Sequence, residues 1–474
     1  MTVYHLSAEC YPVAKVGGLG DVVGALPKYQ QAAGVDAHVV LPFYDRPFTQ
    51  KHPLNEIHRG EILMGENSLP FSVLTEPANT LGFPIHFIKI PGLLDRQEVY
   101  MYPDEREQFI AFQMAFLQWL IDTGTQPDIV HCHDHHTGLV PFFMYNSPLY
   151  QPLAETASVF TVHNGQYQGW MGWDKFALFP PTNSWRNGLI DWNGNINCLA
   201  AAIKCCTAFT TVSPGYMHEL MIAANELESL FRMESSKGIG ILNGIDADVW
   251  NPETDKALPE FYGVKKAAEG KKASKNLLCD RFGFSREKPL FSFIGRLVGE
   301  KGADLLPEFI DRCLRDFPDQ LSFLILGSGE PEIEQELNAL KDAFSPDYNV
   351  YIGYDEQLSH QIYAGTDFLL MPSRVEPCGL NQLYALRYGT IPVTRRTGGL
   401  ADTVVDIREG KQATGLNFIQ PSVDEMAYTL GRAVSFYYSG DAYQQLQQKN
   451  MKLDYSWNSS AGKYIDLYEK LTHR

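Results

Sequence analysis

The chain has 474 residues, 45% of them hydrophobic, and a formal charge of −17 at pH 7. The length exceeds one ordinary core and predicts two domains, while the apolar content excludes a disordered chain. The acidic balance disfavours nucleic acid and anionic membrane as partners, so any bound phosphate must be held by local cations.

"TVYHLSA" (2–8) reads as the first strand. The stretch after it, with Lys15, Gly17, Gly18, Gly20 and Asp21, reads as a turn ahead of a helix over 21–34. Glycines at 17 and 18 are free to take positive φ, and a helix start offers unpaired amides, so the spacing leaves two readings open: a structural turn, or an anion or sugar site. Neither the dinucleotide fingerprint nor the P-loop pattern is present. Further strands are predicted at 36–42, 84–90, 127–134, 157–164 and 208–215, with an amphipathic helix over 105–124. A second series follows at 288–297, 321–329, 348–354, 366–373 and 389–399. Continuous apolar strands between helices imply parallel sheets covered on both faces, hence two doubly wound α/β domains. In such folds ligands bind beyond the carboxyl ends of the strands, here in the cleft between facing domains. The lysine-rich stretch 251–275 parts the two series and is the expected interdomain region. The boundaries are expected as 1–245 for the first domain, with a helix at 455–474 packing back on it, and 246–454 for the second. The chain runs straight into a strand without a leader-like pattern, and no apolar run approaches the ~18 residues of a membrane span. Eight cysteines without CxxC pairs read as reduced thiols, so a cytoplasmic protein is expected.

Chemistry-bearing residues cluster at strand ends. Arg296 follows a strand and Lys301 precedes a helix, so the two are either a pyrophosphate clamp or solvated surface cations. Glu376 opens "EPCGLN", where Pro377 is expected to start a helix and the amides of Cys378, Gly379, Leu380 and Asn381 would suit a phosphate or sugar hydroxyl. Glu376 itself reads equally as a helix-dipole carboxylate or a sugar-binding acid. Asn243, Gly244 and Asp246 fit a tight turn. "HCHDHHTG" (131–138) is dense in potential metal ligands. On a buried strand, however, His131 and His133 should face one way and Cys132 and Asp134 the other, and no metal-site spacing joins them. No metal site is therefore expected there.

Taken together, "KVGGLGDVVGALPK", "HNGQYQG", "NGIDADVWNP", "GRLVGEKGADLL" and "SRVEPCGLNQLYALRYGTIPVTRRTGGLADTV" resemble the bacterial glycogen synthases and plant starch synthases. These are retaining glycosyltransferases of the two-domain GT-B fold. The resemblance covers essentially the whole chain and implies transfer of glucose from ADP-glucose to the non-reducing end of an α-1,4-glucan, with no cofactor and no metal ion. It implies roles residue by residue. Arg296, Lys301 and Lys15 hold the diphosphate, Glu376 contacts the donor glucose, and the main-chain carbonyl of His163 faces the anomeric centre beside Asn164. Gly17, Gly18, Asp21, Tyr100, Asp134, Asn243, Tyr354, Cys378, Gly379, Leu380 and Asn381 match further residues around nucleotide and sugar. The mechanism implied is front-face internal return, because no carboxylate nucleophile is identifiable. Val16, Asn381, Gly165 and Gln166 depart from the common family pattern without removing a charged group. The competing readings are a GT-B enzyme with another donor, such as UDP-glucose, or another acceptor, and a non-catalytic glucan-binding paralogue. The latter would be expected to lose Lys15, Arg296, Lys301 or Glu376, and all four are present.

Overall fold

β-branched and aromatic runs that are apolar on both sides form the central strands of two sheets, each covered by helices. The computed structural model describes residues 1–473. It divides into two units, one made of residues 1–242 with the C-terminal segment from Trp457, the other of Asn243–Ser456.

In the first unit the elements are β1 (Thr2–Leu6), α1 (Gly18–Ala32), β2 (Asp36–Tyr44), β3 (Asn55–Met64), β4 (Asn67–Thr75), β5 (Ile85–Lys89), α2 (Glu105–Thr123), β6 (Ile129–His133), β7 (Ala157–Val162), β8 (Ala208–Thr211) and β9 (Gly238–Gly240). The strands run in the order β9-β8-β7-β6-β1-β2-β5-β4-β3, with the short strand Asp95–Arg96 paired to β2. All pairs are parallel except β3 with β4 and β4 with β5. This antiparallel extension was not expected from the sequence. Its strands carry polar residues on an exposed face, so they lack the continuous apolar signature of the buried strands. The chain leaves β1 toward β2 and returns on the other side to β6, which makes the β1/β6 boundary a switch point with loops at its carboxyl end.

The second unit contains α3 (Ala267–Phe282), β10 (Leu290–Leu297), α4 (Leu306–Asp316), β11 (Ser322–Gly329), β12 (Tyr348–Ile352), β13 (Phe368–Met371), α5 (Asn381–Arg387), β14 (Ile391–Arg395), β15 (Leu416–Phe418) and α6 (Val423–Tyr437). Its six strands are all parallel, in the order β12-β11-β10-β13-β14-β15, with the switch point between β10 and β13. The stretch 251–275 is not a linker. It lies inside this unit, and α3 buries two of its lysines: Lys271 Nζ donates to the carbonyls of Ala364 and Thr366 and to Thr390 Oγ1, and Lys275 Nζ pairs with Asp367 at 2.8 Å. Carbonyls at strand and helix ends satisfy these ammonium groups, which is how lysine-rich sequence enters a core.

The last helix, α7 (Trp457–Thr472), belongs to the first unit. Trp457, Ala461, Tyr464 and Tyr468 pack with Val3, Val22, Leu26 and Ile129 in one apolar cluster. Burying each such aromatic contributes roughly 1.5–3 kcal/mol. All eight cysteines are unpaired, and among the described residues no helix is long and apolar enough to cross a membrane.

Candidate active site

The loop after β1 and the segment ahead of α2 meet on one carboxylate that no sequence motif marks. Glu9 is buried, and its Oε2 accepts the amides of Val16 (2.6 Å) and Gly17 (2.9 Å), while Oε1 accepts the Tyr100 hydroxyl at 2.7 Å. The glycine-rich loop is thus tied to Glu9, and the Gly17 amide is not held open for an anion. Two further expectations are corrected. Helix α1 starts at Gly18, not Asp21, and Gly17 is extended, with φ −138°, so neither glycine needs positive φ. A Cβ on Gly17 or Gly18 would meet nothing within 4 Å, so their lack of side chain keeps space open in front of the loop. Lys15 and Asp21 form an ion pair at 2.7 Å, both partly exposed.

Tyr100 carries the network onward, its ring stacking on His136 with centroids 4.8 Å apart. At the end of β6, Asp134 has φ 56° and ψ 176°, a region almost reserved for glycine, and such strain concentrates at functional sites. The conformation turns its carboxylate to accept the His163 amide at 2.7 Å and the Asn164 amide at 3.4 Å. Burial pushes Asp134 up to about 7, against the pull of those two amides. Folding therefore raises its pKa from the ordinary 3.8, and the associated stability is full below that value and lost as pH rises through about 7. Asp134→Asn removes the titration, so its melting temperature should fall less than the parent's between pH 5 and pH 8. Parallel curves for the two proteins would contradict this.

His131 and His133 share one face of β6 with rings 4.2 Å apart, as strand alternation requires. They meet His5 of β1, which the sequence reading did not include, and the three could place ligand atoms within 4.8 Å of one another. Their ring nitrogens are already engaged by Gln30, Tyr468, Thr161, His163 and each other. Glu105, His135 and His136 form a second such group. It borders a cavity of about 370 Å³ lined in part by Tyr102, Arg106, Tyr167 and Trp170, and the Nδ1 atoms of His135 and His136 are buried without a protein partner.

In the second unit the β10/β13 switch point holds a partly buried ion pair. Lys301 Nζ donates to both carboxylate oxygens of Glu376 at 2.8 Å, and Ser373 Oγ donates to Oε2 at 2.9 Å. Arg296 lies within β10 rather than past it, and its side chain, 66% exposed, reaches Glu300 at 3.8 Å. Lys301 and Glu376 are thus brought together, and Arg296 turns to a different partner. The loop carrying Glu376 is anchored by Arg374 Nη2, which donates to Asp304 at 2.8 Å. Pro377 does not start the helix, since α5 begins at Asn381 with Leu380 as its cap. Asn381 Nδ2 donates to the Ile294 carbonyl at 2.7 Å, which ties α5 to β10. Cys378 is buried and burial pushes its thiol up to about 12; Gly379 has φ 74°. Asn243 is buried with its Oδ1 unpartnered, Asp246 Oδ1 closes a turn by accepting the amides of Asp248 and Val249, and Tyr354 is largely exposed.

Gly398 and Gly399, in "RRTGGL", are not among the site residues that the sequence points to. Gly398 has φ 44°, and a Cβ there would lie 2.1 Å from the Glu376 carbonyl oxygen. Gly398→Ala should destabilise the protein by about 1–3 kcal/mol through overpacking, and it should displace the Glu376 loop. A wild-type urea midpoint together with wild-type activity would show that this approach is not required.

The comparisons with known proteins follow the same division. Residues 2–233 match the family described as starch synthase catalytic domain, and residues 278–447 match glycosyl transferases group 1. A glycogen synthase of Flavobacterium johnsoniae is 47% identical over 99% of this chain and 98% of its own length. The catalytic domain of starch synthase IV from Arabidopsis thaliana, solved with ADP and acarbose bound, is 34% identical with a TM-score of 0.86, covering 100% of this chain and 99% of that one. A sucrose-phosphate synthase from Thermosynechococcus elongatus, 16% identical with a TM-score of 0.62 over 99% of this chain and 98% of its own, shares the fold. The chain therefore belongs to the glycogen synthase and starch synthase family, hexosyltransferases of the GT-B fold.

Proposed function

We propose that this enzyme transfers glucose, with retention, from ADP-glucose to the non-reducing end of an α-1,4-glucan. The observation that carries the reading is the partly buried Lys301–Glu376 pair at the switch point of the second sheet, where an α/β fold binds its ligand. Departure of the nucleoside diphosphate builds charge on its distal phosphate. Lys301, Arg296 and Lys15, with the amides near Leu380 and Asn381, stabilise that charge in a water-poor site. Glu376 exchanges part of its bond to Lys301 for the donor glucose, beside Cys378 and Gly379. The carbonyl of His163, with Asn164 beside it, faces the positive charge that develops at the anomeric carbon. Gly17, Gly18, Asp21, Tyr100, Asp134, Asn243 and Tyr354 complete the contacts to nucleotide and sugar. The acceptor hydroxyl attacks on the face from which the diphosphate leaves: its oxygen bonds to the anomeric carbon as the bond to the phosphate oxygen breaks, and its proton passes to the departing diphosphate.

The cavity of about 370 Å³ lined in part by Tyr102, Tyr167 and Trp170 fits the glucan, since aromatic faces stack on sugar rings. Eight unpaired cysteines suit the reducing cytoplasm, where we place the enzyme. Nucleoside diphosphate release measured with ADP-glucose and with UDP-glucose, each with and without glycogen, tests the donor and acceptor together. Release that requires both ADP-glucose and glycogen is expected, and a preference for UDP-glucose overturns the donor assignment. Turnover should also survive prolonged chelation, since side-chain cations neutralise the diphosphate. A loss that zinc, magnesium or manganese restores would contradict that.

A further inference from the structure

Three neighbouring strands and two helices of the first unit enclose a line of polar side chains that joins the interior to His163. Gln30, fully buried near the end of α1, directs Oε1 at His5 Nε2 (2.7 Å) and donates from Nε2 to the Tyr468 hydroxyl of α7 (3.2 Å). His5 Nδ1 lies 3.0 Å from His133 Nε2, and His133 Nδ1 lies 2.9 Å from His163 Nε2. On the other arm, the Tyr468 hydroxyl lies 2.6 Å from His131 Nδ1, and His131 Nε2 lies 2.6 Å from Thr161 Oγ1.

A neutral imidazole has one donor and one acceptor nitrogen, so the direction of one hydrogen bond fixes the next. Burial lowers His5 to about 4 and His163 to about 3 and holds His131 and His133 well below the usual histidine range, so all four rings are neutral near pH 7. An amide oxygen only accepts. His5 must then carry its proton on Nε2 and accept at Nδ1; His133 must donate from Nε2 and accept at Nδ1; His163 must donate from Nε2. The amide nitrogen of Gln30 sets the other arm in the same way, since Tyr468 accepts from it and donates to His131.

We infer that Gln30 is a positioning residue for His163, its amide oxygen setting through His5 and His133 which nitrogen of the His163 ring bears the proton and how that ring is held. Anchored by its ring to this line and by its amide to Asp134, His163 has little freedom to turn its carbonyl. The inference rests on the proposed role of that carbonyl at the anomeric centre. It explains why a glutamine and three histidines occupy a core where apolar residues would pack without need of partners.

The test uses the full-length chain labelled with ¹⁵N-histidine, with Gln30→Met, which removes the acceptor at similar volume, and Gln30→Glu, which keeps it. In Gln30→Met the Nε2 signal of His163 should lose its protonated, pyrrole-type character. kcat with ADP-glucose and glycogen should fall by about 10- to 100-fold, the cost of a reacting group held slightly out of place, while the donor KM stays nearly constant. In Gln30→Glu a protonated carboxyl reproduces both bonds and an ionised one turns the Tyr468 hydroxyl and the His131 tautomer, but in either form an oxygen accepts from His5, so His5, His133 and His163 should keep their tautomers, and kcat should stay well above that of Gln30→Met. An unchanged His163 signal in Gln30→Met, or equal kcat losses in the two variants at equal melting temperatures, overturns the inference. A changed signal with full kcat leaves the tautomer linkage standing and overturns the role given to His163. If Gln30→Met does not fold, Gln30→Glu decides: a His163 tautomer that changes there overturns the inference.

Discussion

Replacing Lys301 with alanine is expected to lower kcat/KM by about two to four orders of magnitude, the scale for removing a charge-assisted donor that acts most strongly in the transition state. In the proposed mechanism the loss is twofold in origin. The leaving diphosphate loses its cation, and the buried Glu376 carboxylate keeps only Ser373 among the two side chains that donate to it. An unpaired buried charge is costly, so the loop carrying Glu376 should also loosen. Arg296→Ala is expected to lower kcat/KM by a comparable factor without the second effect, because Arg296 is exposed and only loosely paired with Glu300. The two variants are therefore separable: both lose turnover, and Lys301→Ala alone loses thermal stability. Steady-state kinetics and melting curves on the two proteins decide the matter, and near-normal turnover in both removes these residues from the phosphate site.

The second large effect is expected at Glu9. Glu9→Ala strands the amides of Val16 and Gly17 and the hydroxyl of Tyr100. Unsatisfied buried groups cost about 1–3 kcal/mol each, reduced here where water reaches the loop, so a stability loss of a few kcal/mol is expected. Activity should fall on the order of 10²-fold, since the loop bearing Lys15 and the ring packed on His136 lose their common anchor. Glu9→Gln retains one acceptor oxygen and should recover part of both losses. Wild-type kinetics in Glu9→Ala would mean that the glycine-rich loop holds its shape without this carboxylate.

These two sites also show what the sequence discloses and what it hides. The buried parallel strands are legible because continuous apolar runs such as residues 323–326 leave few other structures open. The hairpin β3–β4 is not, since one face is solvated and its pattern resembles loop sequence. Lys271 and Lys275 mislead in the opposite direction: a lysine-rich stretch reads as linker, and only tertiary structure reveals the carbonyls and the Asp367 carboxylate that satisfy them. Within the site, Lys301 and Glu376 are legible through motifs that tie charge to strand ends. Glu9 belongs to no spaced motif, and the signal that could have found it is a lone carboxylate directly behind a buried strand. His5 and Gln30 were hidden for a related reason. Their partners lie up to 438 residues away, and no local pattern encodes such a pairing.

Helix α7 carries a consequence for how the chain is made. Synthesis is vectorial, and α7 follows the entire second unit, so the first unit emerges without Tyr464 and Tyr468, and its apolar face between α1 and β1 stays uncovered until translation has passed Ser456. At 5–20 residues per second that interval is about ten to forty seconds. During it the second unit, whose residues are contiguous, is free to fold by itself, and the unit translated first is completed last. A nascent chain arrested before Trp457 should therefore present a protease-resistant second unit attached to a first unit that still exposes its core.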